Sequence, residues 1–272
     1  MGNWPETLGD DDSARPPFQP VAGMREVRFG IAELSADEER PGGWSLRVNG
    51  IAQSYVDLDD PTFLELEYLR YLGYVVDSME PATAPLDVVH IGGGGGTFPR
   101  YLSAVRPGSR HLVIEADERL AEFVDERLGL RSVPGVELRI GDGLIEIVTL
   151  PAACADLVVA DAFEGLQMAA GITGADFTAE VARVLRTEGI YLLNLVGTRH
   201  HLDEIHAVFP HTALLDGDVF AGYRGNQVLA ASRSPLPLEA LDRQAAQAVP
   251  PFRVAAGPQI PRGDEFRRVR GS

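Results

Sequence analysis

The chain has one cysteine, Cys154, so it cannot close an internal disulfide. Nothing in its composition calls for an oxidising compartment, and a cytoplasmic setting is the expectation. Cationic side chains are in the minority: 24 Lys and Arg stand against 40 Asp and Glu, a formal net charge of −16. That balance repels phosphate backbones and anionic bilayers. It argues against nucleic-acid and membrane partners and favours cationic substrates. No apolar run reaches the ~20 residues that cross a bilayer, and residues 1–24 lack the cationic-then-apolar pattern of a signal peptide. No Cys/His group has zinc spacing, and the adjacent His200 and His201 would leave a helix in different directions, so no metal is expected. There is no internal repeat. With 272 residues, 45% of them hydrophobic, the chain can bury the core of one large domain plus a small appendage.

Against these absences stands one excess. Gly92 to Gly96 are five consecutive glycines, set between the apolar run Asp87-Val88-Val89-His90-Ile91 and a helical-looking stretch opening at Thr97. Glycine loses more backbone freedom on folding than any other residue, so five at a strand-to-helix turn need a reason. A main chain without Cβ atoms, free to take positive φ, lets a flat ligand lie on it. Thr97 is expected to cap the helix, with Pro99 in its first turn. The spacing does not give G-x-G-x-x-G, because Thr97 and Phe98 fall where the last glycine would stand. It gives G-x-G-x-G at Gly92, Gly94 and Gly96, the pattern of S-adenosylmethionine-binding Rossmann-like domains.

Acids recur at the ends of the following apolar runs. His111-Leu112-Val113-Ile114 ends in Glu115, Val136–Ile140 leads into Gly141-Asp142-Gly143, and Asp156-Leu157-Val158-Val159-Ala160 ends in Asp161. In an open parallel sheet the carboxyl ends of the strands line one crevice, so these three acids should converge on a ligand, Glu115 at a ribose diol.

Four regions are expected. They are a disordered acidic tail (1–23), an N-terminal β-hairpin element (24–60), a nucleoside-binding domain (61–231) and a Pro/Arg-rich extension (232–272). Strands are expected near 24–34 and 44–55, the second with alternating apolar residues. Helices are expected at 61–76, 97–106, 117–129, 174–186 and 238–248. Two apolar runs at 211–215 and 226–231 suggest an antiparallel pair closing the sheet.

Three groups of residues carry a specific resemblance. Leu46-Arg47-Val48-Asn49-Gly50-Ile51-Ala52-Gln53-Ser54 resembles the β-hairpin and glutamine that precede the core of spermidine synthases. Ile91-Gly92-Gly93-Gly94-Gly95-Gly96 resembles their I-G-G-G-D-G loop. Glu115, Gly141-Asp142-Gly143 and Asp161 fall where that family places its ribose, adenine and catalytic carboxylates. The resemblance covers roughly residues 44–231. It implies an α/β fold, a methyltransferase-like Rossmann domain with a mostly parallel seven-stranded sheet, in a shortened family member. It also implies a homodimer that moves an aminopropyl group from decarboxylated S-adenosylmethionine to an amine acceptor. Gln53, Gly92, Gly93, Gly94, Gly96, Glu115, Asp142 and Gly143 would bind the nucleoside. Asp161 would take the acceptor's proton, with Glu164 raising its basicity.

The sequence also departs from the family. Gly95 stands for the loop aspartate that receives the donor's amine. Asp60-Pro61-Thr62-Phe63-Leu64-Glu65-Leu66-Glu67 resembles D-E-F-x-Y-H-E, with Glu65 and Leu66 in place of tyrosine and histidine. Asp161-Ala162-Phe163-Glu164-Gly165-Leu166 lacks the proline-glycine frame of D-x-x-D-P-x-G-P. Two alternatives follow: a small-molecule methyltransferase using S-adenosylmethionine itself, which Gly95 would spare a charge repulsion, and a non-catalytic nucleoside-binding protein.

Overall fold

The structure is a computed structural model that describes residues 4–5, 18–165, 167–196, 202–217 and 226–260, with the backbone alone at Glu164. Of the expected acidic tail (1–23), residues 1–3 and 6–17 lie outside the described residues, as do His200, His201 and the arginine-rich end. Trp4 is described, under the Arg110 guanidinium at 4.9 Å, and the Val21 carbonyl accepts from Arg127 at 3.1 Å.

The N-terminal element is a four-stranded antiparallel meander: β1 (Gly23–Val27), β2 (Gly30–Ala36), β3 (Gly43–Val48) and β4 (Ile51–Asp57). The two strands expected from the sequence are thus two hairpins. Their turns fall at Arg28-Phe29 and at Asn49-Gly50, where both residues hold positive φ. Asn49 fastens the two hairpins together, because its Nδ2 donates to the Phe29 carbonyl and its Oδ1 accepts from the Ile31 amide.

α1 (Glu67–Asp77) begins six residues later than the pattern around Pro61 predicts. Asp57 is the reason: its Oδ1 accepts from the amides of Asp59 and Asp60, and Asp60 in turn accepts from Thr62. Arg40 pairs with both Asp57 and Asp60 and lies 3.7 Å from the centre of the Phe63 ring. These side-chain turns compete with helix and win until Leu66.

Strands and helices then alternate: β5 (Asp87–Ile91), α2 (Thr97–Val105), β6 (Arg110–Glu115), α3 (Glu118–Leu128), β7 (Val136–Ile140), α4 (Gly143–Thr149) and β8 (Ala155–Ala160). They are followed by the small pair β9 (Phe163–Glu164) and β10 (Gln167–Met168), then α5 (Ala175–Val184), β11 (Leu185–Leu195), α6 (Leu202–Val208), β12 (His211–Gly217), β13 (Gln227–Ser232), α7 (Leu238–Gln247) and β14 (Phe252–Ala256). The main sheet runs β14-β12-β13-β11-β8-β5-β6-β7. Pairings from β7 to β11 are parallel, and those of β13 with β11, β12 with β13 and β14 with β12 are antiparallel. This is the expected α/β architecture, with eight strands in place of seven. The extra strand, β14, comes from the extension, where Phe252 stacks on Tyr74 at 4.9 Å. Its five residues after two prolines carry too little pattern to be read as a strand.

Alternation along the strands sorts the two faces. Val89, Ile91, Val158 and Ala160 face α4, α5 and α6, while Val88, Val159 and Leu192 face α1, α2 and α7. Each fully buried Val or Leu of this kind contributes about 1.5–3 kcal/mol. The meander packs its own apolar face on α3 through Leu34, Leu46, Val56, Phe123 and Val124. It therefore stands beside the carboxyl ends of β5 and β6, and β4 delivers Gln53 there.

Candidate active site

The glycine loop is shaped by its protein neighbours. Gly92, Gly94 and Gly96 have φ of 99°, 47° and 74°, so the alternate positions read from the sequence are those that take positive φ. A Cβ on Gly92 would sit 2.3 Å from the Asp161 carbonyl oxygen, and one on Gly94 would sit 2.7 Å from Ser54 Oγ. The loop is thin so that the end of β8 and strand β4 can close on it from two sides. Gly96 does not line the cleft. It caps α2 in the left-handed region, against Leu130. Thr97 is the first helical residue and not the cap, and its hydroxyl donates to the Tyr55 carbonyl at 2.8 Å. Gly95 also faces protein: its amide donates to Ser54 Oγ, and a Cβ would meet Ser54 at 2.9 Å and Val56 at 3.1 Å. A side chain at 95 would press on β4, so the expected control of the donor's tail by this position is not supported.

One cleft of ≈ 460 Å³ runs along the carboxyl ends of β5, β6 and β8. Gln53, Gly92, Gly93, Gly94, Glu115, Asp142, Gly143 and Asp161 all line it, so the three strand-end acids share one cavity. Glu115 ends β6, where Oε2 accepts from the Gly93 amide at 2.8 Å and Oε1 from the Asp117 amide at 2.9 Å. Burial raises its pKa, opposed by those amides. Each oxygen keeps a lone pair beyond these bonds, a pair of acceptors matched to a vicinal diol. Asp142 caps α4 by accepting from Leu144 at 2.8 Å, a short helix that the sequence reading passed over as a turn.

Asp161 lies just past β8. Its Oδ2 accepts from the Tyr68 hydroxyl at 2.9 Å, and its Oδ1 accepts from Asn194 Nδ2 at 2.7 Å. Burial raises the Asp161 pKa, and these two donors oppose the rise. The Tyr68 phenol is itself pushed well above its ordinary range, by burial and then by the Asp161 charge, and so stays a donor. The side chain of Glu164 lies outside the described residues.

Tyr68 and Asn194 were not foreseen. The family pattern directs attention to Glu65 and Leu66, but the phenol arrives at the second residue of α1, beyond the Asp57–Phe63 turns. Leu66 lines the cleft beside it. Asn194 had a visible signal, a lone amide inside the apolar run Ile190-Tyr191-Leu192-Leu193-Asn194-Leu195. The β1–β2 turn also reaches the cleft: Arg28 and Phe29 line it, and Arg28 donates to the Ala116 carbonyl at 3.2 Å.

A parallel sheet with a glycine turn after β5 and a carboxylate ending β6 defines a Rossmann-like domain of the methyltransferase type. No family model matches the chain. Among curated proteins, the polyamine aminopropyltransferase of Chromobacterium violaceum is 27% identical over 144 residues, 52% of this chain and 53% of that protein. That of Neisseria meningitidis serogroup A is 24% identical over 178 residues, 64% and 66% of the two chains. The match thus spans about half to two thirds of these relatives. Among solved structures, a probable spermidine synthase of Corynebacterium glutamicum superposes with a TM-score of 0.79 at 26% identity. That match covers 93% of this chain and 95% of the other. A spermidine synthase in complex with the transition-state analogue AdoDATO gives 0.58 at 17% identity, over 84% and 77%. Human methyltransferase-like protein 13 in complex with SAH gives 0.53 at 22%, over 65% and 91%. The chain is a divergent spermidine-synthase-like protein with a methyltransferase-like fold.

Proposed function

We propose that the protein transfers an aminopropyl group from decarboxylated S-adenosylmethionine to an amine acceptor. One observation carries this reading: a desolvated carboxylate, Asp161, held by Tyr68 and Asn194, lines the same cleft as Glu115 and the glycine loop. The names of the curated relatives and of the Corynebacterium glutamicum structure support it.

In this reading Glu115 accepts the ribose hydroxyls, and Gly92, Gly93, Gly94 and Gly143 lie along the nucleoside. Gly96 acts only by shaping the loop. Asp142 stands at the adenine, and Gln53 covers it from β4. An alkyl ammonium of ordinary pKa ~10.4 costs about 4–5 kcal/mol to neutralise at pH 7. Asp161 takes that proton, and burial makes it the stronger base. The neutral nitrogen then attacks the carbon on the sulfonium in line. The C–S bond breaks, the electron pair goes to sulfur, and 5′-methylthioadenosine leaves uncharged. No oxyanion forms, so positioning supplies most of the acceleration. The family resemblance assigns Glu164 to the acceptor side, as the acid that raises the basicity of Asp161. The enzyme is a cytoplasmic homodimer acting on small molecules without a metal. The lone buried Cys154 supports the compartment, and the family resemblance supports the dimer.

The methyl-transfer alternative rested on Gly95, and the packing of Gly95 against β4 takes that support away. The test is incubation with each donor and a set of primary amines, with mass spectrometry of the products. 5′-Methylthioadenosine formed from the decarboxylated donor is the expected result. S-adenosylhomocysteine formed from S-adenosylmethionine would select methyl transfer. Binding of 5′-methylthioadenosine with no turnover of either donor would favour the non-catalytic reading.

A further inference from the structure

Asn194 is 1% exposed and lines the cleft, yet its Oδ1 has no hydrogen-bond partner among the described residues. Leaving a buried carbonyl unpaired is costly, on the scale of a lost hydrogen bond or more. The orientation of this amide is fixed by chemistry. The ionised Asp161 can only accept, so Nδ2 must face it, and Oδ1 is the atom left over. The sheet register places the pair side by side. Leu193 is opposite Ala160 in the parallel β8–β11 ladder, so Asn194 and Asp161 are the next step along both strands. Tyr68 occupies the other carboxylate oxygen and cannot turn to serve Asn194 without giving up Asp161.

We propose that Asn194 is a positioning and specificity residue for the acceptor, a role that rests on the aminopropyl-transfer reading. Its Nδ2 holds the Asp161 carboxylate, and its Oδ1 receives a second N–H of the attacking nitrogen. A primary ammonium brings three N–H groups. One proton passes to Asp161, whose carboxylate becomes a carboxylic acid, and the neutral amine keeps two N–H groups and a lone pair. With one N–H on Asn194 Oδ1 and the nitrogen still beside Asp161, the lone pair is turned toward the sulfonium carbon. The new N–C bond forms as the C–S bond breaks, and sulfur keeps the electron pair. A hydroxyl, a thiol or a tertiary amine has no second hydrogen for Oδ1 and would leave it buried and unpaired. The site therefore favours primary amines by an uncharged group, independent of any carboxylate at the far end of the acceptor.

The test is calorimetry on the protein saturated with 5′-methylthioadenosine, using n-butylamine and N,N-dimethylbutylamine as probes. The first offers three N–H groups in its ammonium form and the second offers one. We expect the wild type to prefer n-butylamine by about 10-fold, the scale of one buried hydrogen bond. In Asn194→Leu the ratio should fall to near one, and in Asn194→Gln, which keeps the amide, it should recover in part. Affinity for 5′-methylthioadenosine and the melting temperature monitor the fold of each variant. A wild type that binds both probes equally would overturn the inference without any variant. An unchanged preference in folded Asn194→Leu would overturn it as well. A protein that fails to bind 5′-methylthioadenosine would instead overturn the reading on which the inference rests.

Discussion

Tyr68 donates its hydroxyl hydrogen to Asp161 Oδ2 across 2.9 Å and so ties the first turn of α1 to the end of β8. The bond favours the ionised carboxylate, whereas burial favours the protonated one. Asp161→Asn keeps the shape and cannot take a proton. The expected outcome is turnover lowered by about 10² or more, with 5′-methylthioadenosine affinity within a few-fold of the parent. Steady-state kinetics beside calorimetry checks it, and full turnover in the variant would leave Asp161 a structural acid.

Tyr68→Phe removes the donor and leaves the ring. Asp161 then loses one of the two bonds that oppose its upward shift, so its pKa rises further. The acidic limb of the rate profile should move to higher pH. The base is active when ionised, so at pH 6 the variant should fall further behind the parent than at pH 8. A uniform loss at every pH would place Tyr68 in packing alone.

Glu115 works on both sides of the cleft wall. Its oxygens hold the amides of Gly93 and Asp117 and, in the proposed reading, accept from the nucleoside. Glu115→Ala is expected to weaken 5′-methylthioadenosine binding by roughly 1.5–3 kcal/mol, the range for a hydrogen bond to a charged group. It should also lower the melting temperature, because two backbone donors lose their acceptor. Glu115→Gln keeps only one acceptor oxygen and should lie between. Calorimetry and melting curves read the two effects separately, and unchanged affinity in both variants would remove Glu115 from the ribose position.

The glycine turn and the strand-end acids of this cleft are legible in the sequence because each part is local. A strand, a glycine turn and an acid at the strand end lie within a few residues, and the parallel topology brings the ends together. The surroundings of Asp161 are assembled from distant pieces. Tyr68 and Asp161 are 93 positions apart, and Asn194 lies 33 beyond Asp161. The phenol is displaced from the family's pattern because Asp57 and Arg40 hold 57–63 in turns before the helix starts. The eighth strand was missed for a related reason: packing of Phe252 on Tyr74 makes it, and its five residues have no clear alternation. The glycines themselves were read correctly for conformation and incompletely for contact. A pattern shows that a Cβ is absent, and only the fold shows that Ser54, Val56 and the Asp161 carbonyl fill the space.

Gly95 offers a check on that correction. Gly95→Asp would set a carboxylate-bearing Cβ within 2.9 Å of Ser54 and 3.1 Å of Val56, at a backbone φ that any residue can hold. The expected result is a loss of stability of about 1–3 kcal/mol from overpacking, with no shift in donor preference. A melting curve and a donor competition measure the two. A stable variant that prefers the decarboxylated donor would show that position 95 reaches the donor's tail after all.

The two buried histidines make the fold less stable in acid. His90 Nε2 lies 3.2 Å from His111 Nδ1, and His111 Nε2 lies 3.2 Å from Ser103 Oγ, whose one hydroxyl hydrogen has the Pro99 and Pro134 carbonyls within reach. With the Ser103 hydrogen on one of those carbonyls, His111 donates to Ser103 and His90 donates to His111, and both rings are neutral. Burial lowers His111 to about 4, and burial together with the neighbouring ring lowers His90 well below its ordinary 6.5. Between those values the unfolded chain binds more protons than the folded one, so stability is full above about pH 6.5 and falls as the pH drops toward 4. His111 alone accounts for roughly 3 kcal/mol across that window. Glu115, Asp161 and Asp77, raised by burial, act in the opposite sense and offset part of it. Melting temperatures at pH 7.5, 6 and 5 should therefore decline, and in His111→Gln, where one titrating ring is gone, they should decline less steeply. An equal slope in the two proteins would mean that the pair does not stay neutral inside the sheet.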